Sequence, residues 1–335
     1  MFGIDMKLNE QLKNVLSLFL RIGLSAVLLV YLFRKIDTKS MLGLLQEADF
    51  QYIYYAAAMF MVINCILLLR WLGLMKALKL EVPIRSIVDY FFIGLFFNLF
   101  LPSSTGGDFV KTVGVCKFTS QKAKVVASVV LDRLSGFIGI IIVAFFSFLF
   151  GYRFLNDLSL LVSIFALAFV SGVMMTILFN EKLFSFGCRI FNKLPKIKKS
   201  LMDLHYDIVL LKGKPDAFLR AVGLSCLSQI FLSFTFFLVA KALHQDIAMI
   251  YFLVFIPLVC VISSLPSIGG LGIRDMGAAH LFAKVGVPSG VTVSITLINF
   301  FFMVAIGVIG GIIYVTQLSP RRVQYHPSPS GVRGK

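Results

Sequence analysis

Charge is scarce in this chain: 14% of its 335 residues are Asp, Glu, Lys or Arg, while 59% are hydrophobic. Soluble domains carry about 25% charged residues, so this composition excludes an ordinary water-solvated fold. Cysteine is also sparse. Cys65, Cys116, Cys188, Cys226 and Cys260 are odd in number, scattered, and mostly within or beside apolar stretches, which excludes a disulfide framework or a zinc ligand set. The four histidines, His205, His244, His280 and His326, form no pair at metal-ligand spacing, and no P-loop, dinucleotide fingerprint or nucleophile elbow is present. Redox or metal-dependent catalysis is therefore not expected, and neither is a cofactor. Acidic residues number 16 against 32 basic ones, giving a formal charge of +16. The basic residues lie between apolar runs, where the positive-inside bias of membrane proteins puts them, so topology accounts for the charge and no nucleic-acid partner is expected.

What the chain has instead is long apolar runs: Leu12 to Phe33, Phe50 to Leu69, Val125 to Phe150, Leu158 to Phe179, Phe218 to Leu243, Ile247 to Leu265 and Val291 to Val315. A helix of about 20 residues crosses a bilayer, and lipid offers backbone groups no partners, so these runs predict membrane helices. The first is broken by Arg21 and followed by Arg34 and Lys35 with no small-residue cleavage site. It reads as an anchor and not a signal peptide. A further run, Tyr90 to Leu101, is interrupted by Asn98 and ends at Pro102, and is too short to cross.

The informative feature is an internal echo. Leu101-Pro102-Ser103-Ser104-Thr105-Gly106-Gly107-Asp108-Phe109-Val110-Lys111 resembles Leu265-Pro266-Ser267-Ile268-Gly269-Gly270-Leu271-Gly272-Ile273-Arg274-Asp275 in order and spacing, 164 residues downstream. Each segment follows an apolar run and carries a cation. Paired Gly/Pro-interrupted hydrophobic segments in two halves of a chain point to a site built from broken helices, although two ordinary Gly/Pro-rich loops would share the composition.

Loop charge tests this reading. If both motif-bearing segments are re-entrant and the other six runs cross, with the N-terminus inside, 23 of the 30 Lys and Arg outside the span interiors are cytoplasmic. If all eight runs cross, the best orientation puts 18 of 30 inside. The re-entrant topology fits the bias better, and it brings the two motifs in from opposite faces. The expected fold is an all-α, polytopic membrane helix bundle over residues 1–316, about six full spans plus two inverted re-entrant hairpins, in the cell membrane with both termini cytoplasmic. A kinked full span at Ile247 to Leu265, about Pro257, is the alternative for the second motif.

Helix starts expose unpaired N–H groups and glycine lets a ligand approach them, so an anion, phosphate above all, is the natural guest of such a hairpin. Lys111, Arg133 and Arg274 are placed to supply full charge to the phosphate of a lipid headgroup, with Gly106, Gly107, Gly269 and Gly270 giving backbone access. Arg133 lies deep in an apolar run, where a cation costs about 2.5 to 3.5 kcal/mol to insert and so calls for a reason. Asp132 is its neighbour in sequence, but adjacent helical residues point about 100° apart, so each is expected to serve a separate partner. Bridging to other helices purely for packing is the bland alternative for that pair, and a surface pair is the bland alternative for Arg274 and Asp275. Asn98 either lines the cavity or satisfies a freed backbone group. Asp108, Asp132 and Asp275 are candidates for charge balance or proton coupling. Between residues 195 and 212, Ile197, Leu201, Leu204, Ile208 and Leu211 recur at helical spacing beside Lys196, Lys198 and Lys199. This predicts an amphipathic helix lying on anionic headgroups or on the protein's own face. The Pro-rich segment 317–335 is expected to be disordered.

Asn98-x-x-Leu101-Pro102 with Gly106-Gly107-Asp108, then Leu131-Asp132-Arg133-Leu134, then Gly269-Gly270-Leu271-Gly272-Ile273-Arg274-Asp275 together resemble the transmembrane region of lysylphosphatidylglycerol synthases, a family that includes standalone flippase-like membrane proteins. The resemblance covers roughly Leu12 to Val315. Lys111 stands where that pattern has Arg, and Asp275 where it has Glu; charge is kept and geometry changes. The resemblance implies movement between leaflets of an anionic or polyprenyl-phosphate-linked lipid with a charged or glycosylated headgroup, with relatives linked to aminoacylated phosphatidylglycerol, polyprenyl-phosphate sugars and hopanoids. Aminoacyl-transferring members carry a soluble catalytic domain after this region, and here a short tail follows Val315, so lysyl transfer is not expected. Two further readings are an enzyme acting on a polyprenyl-phosphate lipid, with Asp108, Asp132 and Asp275 converging, and an accessory subunit of a partner lipid-modifying enzyme.

Overall fold

The computed structural model describes residues 46–101, 106–155, 158–188, 215–263 and 272–318, together with positions 202, 205, 206 and 209. The expected first span, the Gly269-Gly270 turn, most of the amphipathic segment 195–212 and the tail beyond residue 318 lie outside the described residues. Those described form helices without strands: α1 (Phe50–Ala77), α2 (Ile84–Phe100), α3 (Gly106–Val115), α4 (Lys122–Leu155), α5 (Leu158–Phe179), α6 (Glu181–Cys188), α7 (Pro215–Ala242), α8 (Met249–Ile262), α9 (Ile273–Ala283) and α10 (Ser289–Leu318). Four of them, α1, α4, α7 and α10, run for 28 or more residues and are apolar enough to cross a membrane, and α5 adds 22 residues. At 1.5 Å per residue each reaches about 30 Å or more, the thickness of the hydrocarbon.

The long helices run in register between two ends of a bundle. α1 and α7 are antiparallel: the Asp49 N–H donates to the Ala242 carbonyl at one end (2.8 Å), and Arg70 reaches Ser225 near the other (2.9 Å). Asp49 also caps α1 by accepting from the Gln51 N–H at 2.9 Å, which satisfies one of the donors a helix start leaves open. α4 joins the pair where Gly139 faces Ser225; a Cβ there would lie 2.5 Å from the serine Cβ. In lipid no hydrophobic force drives helices together, so small residues that let backbones approach decide where they meet.

Four of the five short helices form two hairpins. α2 and α3 are antiparallel and touch backbone to backbone: a Cβ on Gly94 would sit 2.9 Å from the Gly107 carbonyl oxygen, and one on Gly114 would overlap the Tyr90 ring. α8 and α9 pair in the same manner, with the Phe252 and Phe255 rings 5.0 and 5.1 Å from that of Phe282 and Ile262 against Gly277. None of the four is long enough to cross alone: 17, 10, 14 and 11 residues reach about 26, 15, 21 and 17 Å. Within the run Ile247 to Leu265, the described residues form a 14-residue helical arm, Met249–Ile262, with Pro257 inside it, shorter than the kinked full span that was the alternative.

Both hairpins lean on α10 and enter from its opposite ends. Leu99, at the tip of the first, packs on Gly307, while Phe92, nearer its base, packs on Gly310. At the tip of the second, Arg274 donates to the Thr296 carbonyl (3.2 Å) and Met276 packs on Val293. Its base, with Phe282 and Val287, joins Val291 in one apolar cluster. The tips therefore face one another near the middle of α10. A second apolar cluster, with Trp71, Leu74, Ile87, Phe91, Val115 and Val125, surrounds the base of the first hairpin.

Gly310 sets the separation of α2 and α10, because any Cβ there would overlap the Phe92 carbonyl. Gly310→Ala is expected to lower stability by about 1 to 3 kcal/mol, the usual cost of overpacking, read as a falling unfolding temperature in detergent. Gly172→Ala on α5, with nothing within 4 Å, is expected to be neutral or slightly stabilising.

Candidate functional site: a buried charge cluster on the first hairpin

The first Gly-Gly pair builds the hairpin tip. Asn98, near the end of α2, accepts a hydrogen bond from the Gly107 N–H at 2.8 Å, satisfying one donor of the α3 start. A Cβ on Gly107 would overlap the Gly94 carbonyl and lie 2.6 Å from the Asn98 carboxamide, and one on Gly106 would lie 2.5 Å from the Leu101 Cβ. These glycines thus let two helices meet, and Asn98 holds the turn shut.

That closeness fixes Asp108 and Lys111, one turn apart on α3, against α4 and α1. The Lys111 ammonium stands 3.1 Å from the Asp108 carboxylate and 3.6 Å from that of Asp132. It also lies over the Trp71 ring, 4.5 Å from the centroid, an attraction that strengthens when water is excluded. Asp132 is bound in turn by Arg70 Nε at 2.7 Å, and Arg133 Nε donates to Asp108. Asp132 and Arg133 therefore do serve different partners. Arg70 continues to the Ser225 hydroxyl, and Trp71 donates its indole N–H to Ser128 at 3.1 Å. One network ties α1, α3, α4 and α7 together.

Its exposure is uneven. The side chains of Arg70, Lys111 and Asp132 are buried, whereas Arg133 is 36% exposed. Beside Asp108, an open groove of about 960 Å³ runs between α3 and α4, walled by Phe109, Val113, Val126 and Val129, with Lys117 and Lys122 along it. An amphiphile fits such a channel: apolar walls, cations, and an ionic cluster alongside.

The second hairpin has its own pair. Asp275, fully buried, accepts from Arg274 Nη2 at 3.0 Å and Nε at 3.2 Å and from the Gly272 N–H at 3.0 Å. Gly272 adopts a φ of +80°, a conformation glycine takes without strain. The Arg274 guanidinium lies 5.7 Å from the Phe300 ring. The pair is buried against α10 and is not a surface pair. Of the residues singled out from sequence, Asn98, Gly106, Gly107, Asp108, Lys111, Asp132 and Arg133 come together; Arg274 and Asp275 stand on the opposed hairpin, and Gly269 and Gly270 lie outside the described residues. Arg70, Trp71, Ser128 and Ser225 were not anticipated. Arg70 follows the apolar run Phe50 to Leu69 and reads as a loop cation, but α1 continues two further turns, to Ala77. Trp71, the chain's one tryptophan, was the available signal.

Removing one partner of a buried ion pair strands the other, at a cost of about 3 to 5 kcal/mol. Arg70→Met and Asp132→Leu are each expected to cost about that much in unfolding experiments, and the double substitution less than their sum. Arg133→Gln, at a side chain about one third exposed, is expected to cost under about 1 kcal/mol.

Residues 18–311 match the model of the lysylphosphatidylglycerol synthase TM region. A UPF0104 membrane protein of Pyrococcus horikoshii is 26% identical over 313 residues, covering 84% of this chain and 91% of that protein. No solved structure matches at a significant level. The apolar helices, the paired hairpins and a family match over most of the length agree: this chain is a multi-pass membrane protein belonging to the lysylphosphatidylglycerol synthase TM region family.

Proposed function

We propose that the protein is a lipid flippase, moving a phospholipid or polyprenyl-linked lipid with an anionic headgroup between leaflets without chemical change. The observation that carries this reading is the groove of about 960 Å³ beside the cluster, with apolar walls and with Lys117 and Lys122 along it. Such walls suit acyl chains, and the cations beside them suit a phosphate.

Arg133 is the most exposed cation of the cluster, and its guanidinium can exchange Asp108 for phosphate oxygens, a planar fork meeting two acceptors. Lys111 holds the released carboxylate. The apolar walls of the groove take the acyl chains, and Lys117 and Lys122 attract the headgroup from the surface. The end of the bundle that carries these lysines also carries Lys76, Lys79, Arg85 and Lys124, while the other end has Arg153, Lys241 and Lys284; the positive-inside bias makes the former cytoplasmic. On the second hairpin Arg274 and Asp275 repeat the cation-carboxylate arrangement facing the opposite leaflet.

Liposomes containing the purified protein and a fluorescent phosphatidylglycerol, quenched from outside, measure leaflet exchange. Wild type is expected to exchange the label, Arg133→Ala to slow it by about tenfold or more, equal to about 1.4 kcal/mol of lost charge-assisted binding, and Arg133→Lys to fall between. Exchange of equal rate in wild type, Arg133→Ala and protein-free vesicles would remove the proposal.

A further inference from the structure

Between the two hairpins lies a cavity of about 260 Å³ that the headgroup groove does not use. α1, α2, α7, α8 and α10 wall it, and among its liners Leu67, Leu95, Leu232, Cys260 and Met303 all keep accessible surface, each being half-buried. The stretches that α1 and α10 contribute, from Phe60 to Leu67 and from Asn299 to Ile306, fall at the middles of those two helices. The cavity therefore sits at the depth of the bilayer centre.

An apolar space of this size left empty forfeits dispersion contacts on every wall, so an occupant is expected. Water needs two to four polar partners each, and apolar cavities stay dry. The polar side chains along this one already spend donors on the protein: Asn64 on the Phe60 carbonyl at 2.8 Å, Ser263 on the Cys260 carbonyl at 2.7 Å. An anion is disfavoured, because Arg274 is paired with Asp275 and donates to the Thr296 carbonyl. Hydrocarbon remains, and at this depth the bilayer supplies it as the ends of its own lipid tails. A cavity of about 150 Å³ admits benzene, so this one, about 1.7 times larger, has room for roughly ten carbons of a chain.

We propose that this cavity binds the end of one hydrocarbon tail of a membrane lipid, packed among Ile63, Leu67, Leu95, Leu232, Phe236 and Met303. The tail touches α2 of the first hairpin and α8 of the second at once, through Leu95 and Cys260. The site takes a chain and no headgroup, and it does not depend on leaflet exchange.

Photolabelling of the purified full chain in phosphatidylcholine vesicles tests it, with a trace of phosphatidylcholine carrying a diazirine on the last carbons of one tail. That probe is zwitterionic, so it does not report on the anionic headgroup site. It is expected to label Ile63, Leu67, Leu232 or Phe236 as well as Phe169, which is exposed at the middle of α5 and serves as the lipid-facing reference. Met303→Trp fills the space, and in a close-packed interior it is expected to lower the cavity labels by about tenfold while Phe169 labelling stays the same. Leu95→Phe, a smaller filling, is expected to lower them in the same direction and keeps the test open should Met303→Trp not fold; circular dichroism checks both. Absence of label at these four residues in wild type, or cavity labels unchanged relative to Phe169 in the folded variants, overturns the proposal. So does labelling of the cavity by a diazirine-bearing decane but not by the lipid, because the occupant would then be a free hydrocarbon. The labels are read whether or not the vesicles exchange lipid, so failure of this site and failure of the flippase reading are distinguishable.

Discussion

A helix too short to cross a bilayer can persist at its depth only when its ends are satisfied by protein, because lipid offers no hydrogen bonds. The rest of this structure depends on that constraint. The α3 start is met by Asn98 and the α9 start by Asp275, one polar side chain on one freed N–H in each hairpin. The Asn98 cap, which crosses from α2 to α3, would not reach if the arms stood at an ordinary interhelical distance of about 8 to 10 Å, whereas Asp275 caps its own helix. Gly94 and Gly107 in the first hairpin, and Gly277 in the second, remove the side chains that would hold the arms apart. Gly307, Gly310 and Gly311 on α10 seat the first hairpin as a whole. Glycine here costs helix propensity, about 1 kcal/mol at each interior site, and is offset by packing that lipid would not otherwise drive.

The charge cluster follows from the same closeness. Burying ionic groups is expensive individually, and their mutual attraction repays it only when geometry is good and remaining valences are filled. Here they are: Asp132 bridges Arg70 and Lys111, Asp108 bridges Lys111 and Arg133, and Ser225 takes an Arg70 N–H. Such a network fixes which helices meet, since any slip of α3 against α4 by one residue would break two of its pairs. It also leaves Arg133 at the edge, partly wet, where a ligand can compete for it.

The spans were legible from sequence because lipid forces a simple rule: apolar runs of sufficient length become helices, and Leu158 to Phe179 matches α5 residue for residue. The hairpins were legible too, from the repeat of Leu-Pro-Ser and Gly-Gly and from loop charge. What escaped was the far end of α1. Apolarity stops at Leu69, so Arg70 reads as exposed, yet backbone hydrogen bonding carries the helix to Ala77 and the neighbouring helices carry the burial with it. Periodicity reports what a segment prefers, and not which other segments arrive to cover it. The Gly-Gly pair shows the complementary limit. Sequence alone permitted a backbone cradle for an anion, whereas the Gly107 N–H is taken by Asn98, so the charges that remain for a ligand sit on side chains.

The two hairpins solve the burial of charge differently, and the difference bears on direction. In the first, three cations face two carboxylates; in the second, Arg274 and Asp275 form a closed pair of no net charge, with a backbone carbonyl on the guanidinium. On the flippase reading, an anionic headgroup meets a partly exposed guanidinium at the first hairpin, and its passage toward the second requires Arg274 to give up a protein partner that is itself fully buried. One charge-assisted hydrogen bond is worth about 1.5 to 3 kcal/mol, so a difference of one such bond between the two hairpins is enough to bias residence by about tenfold or more. On that reading a transporter of this build needs no third site to be asymmetric; the difference in exposure between Arg133 and Arg274 suffices.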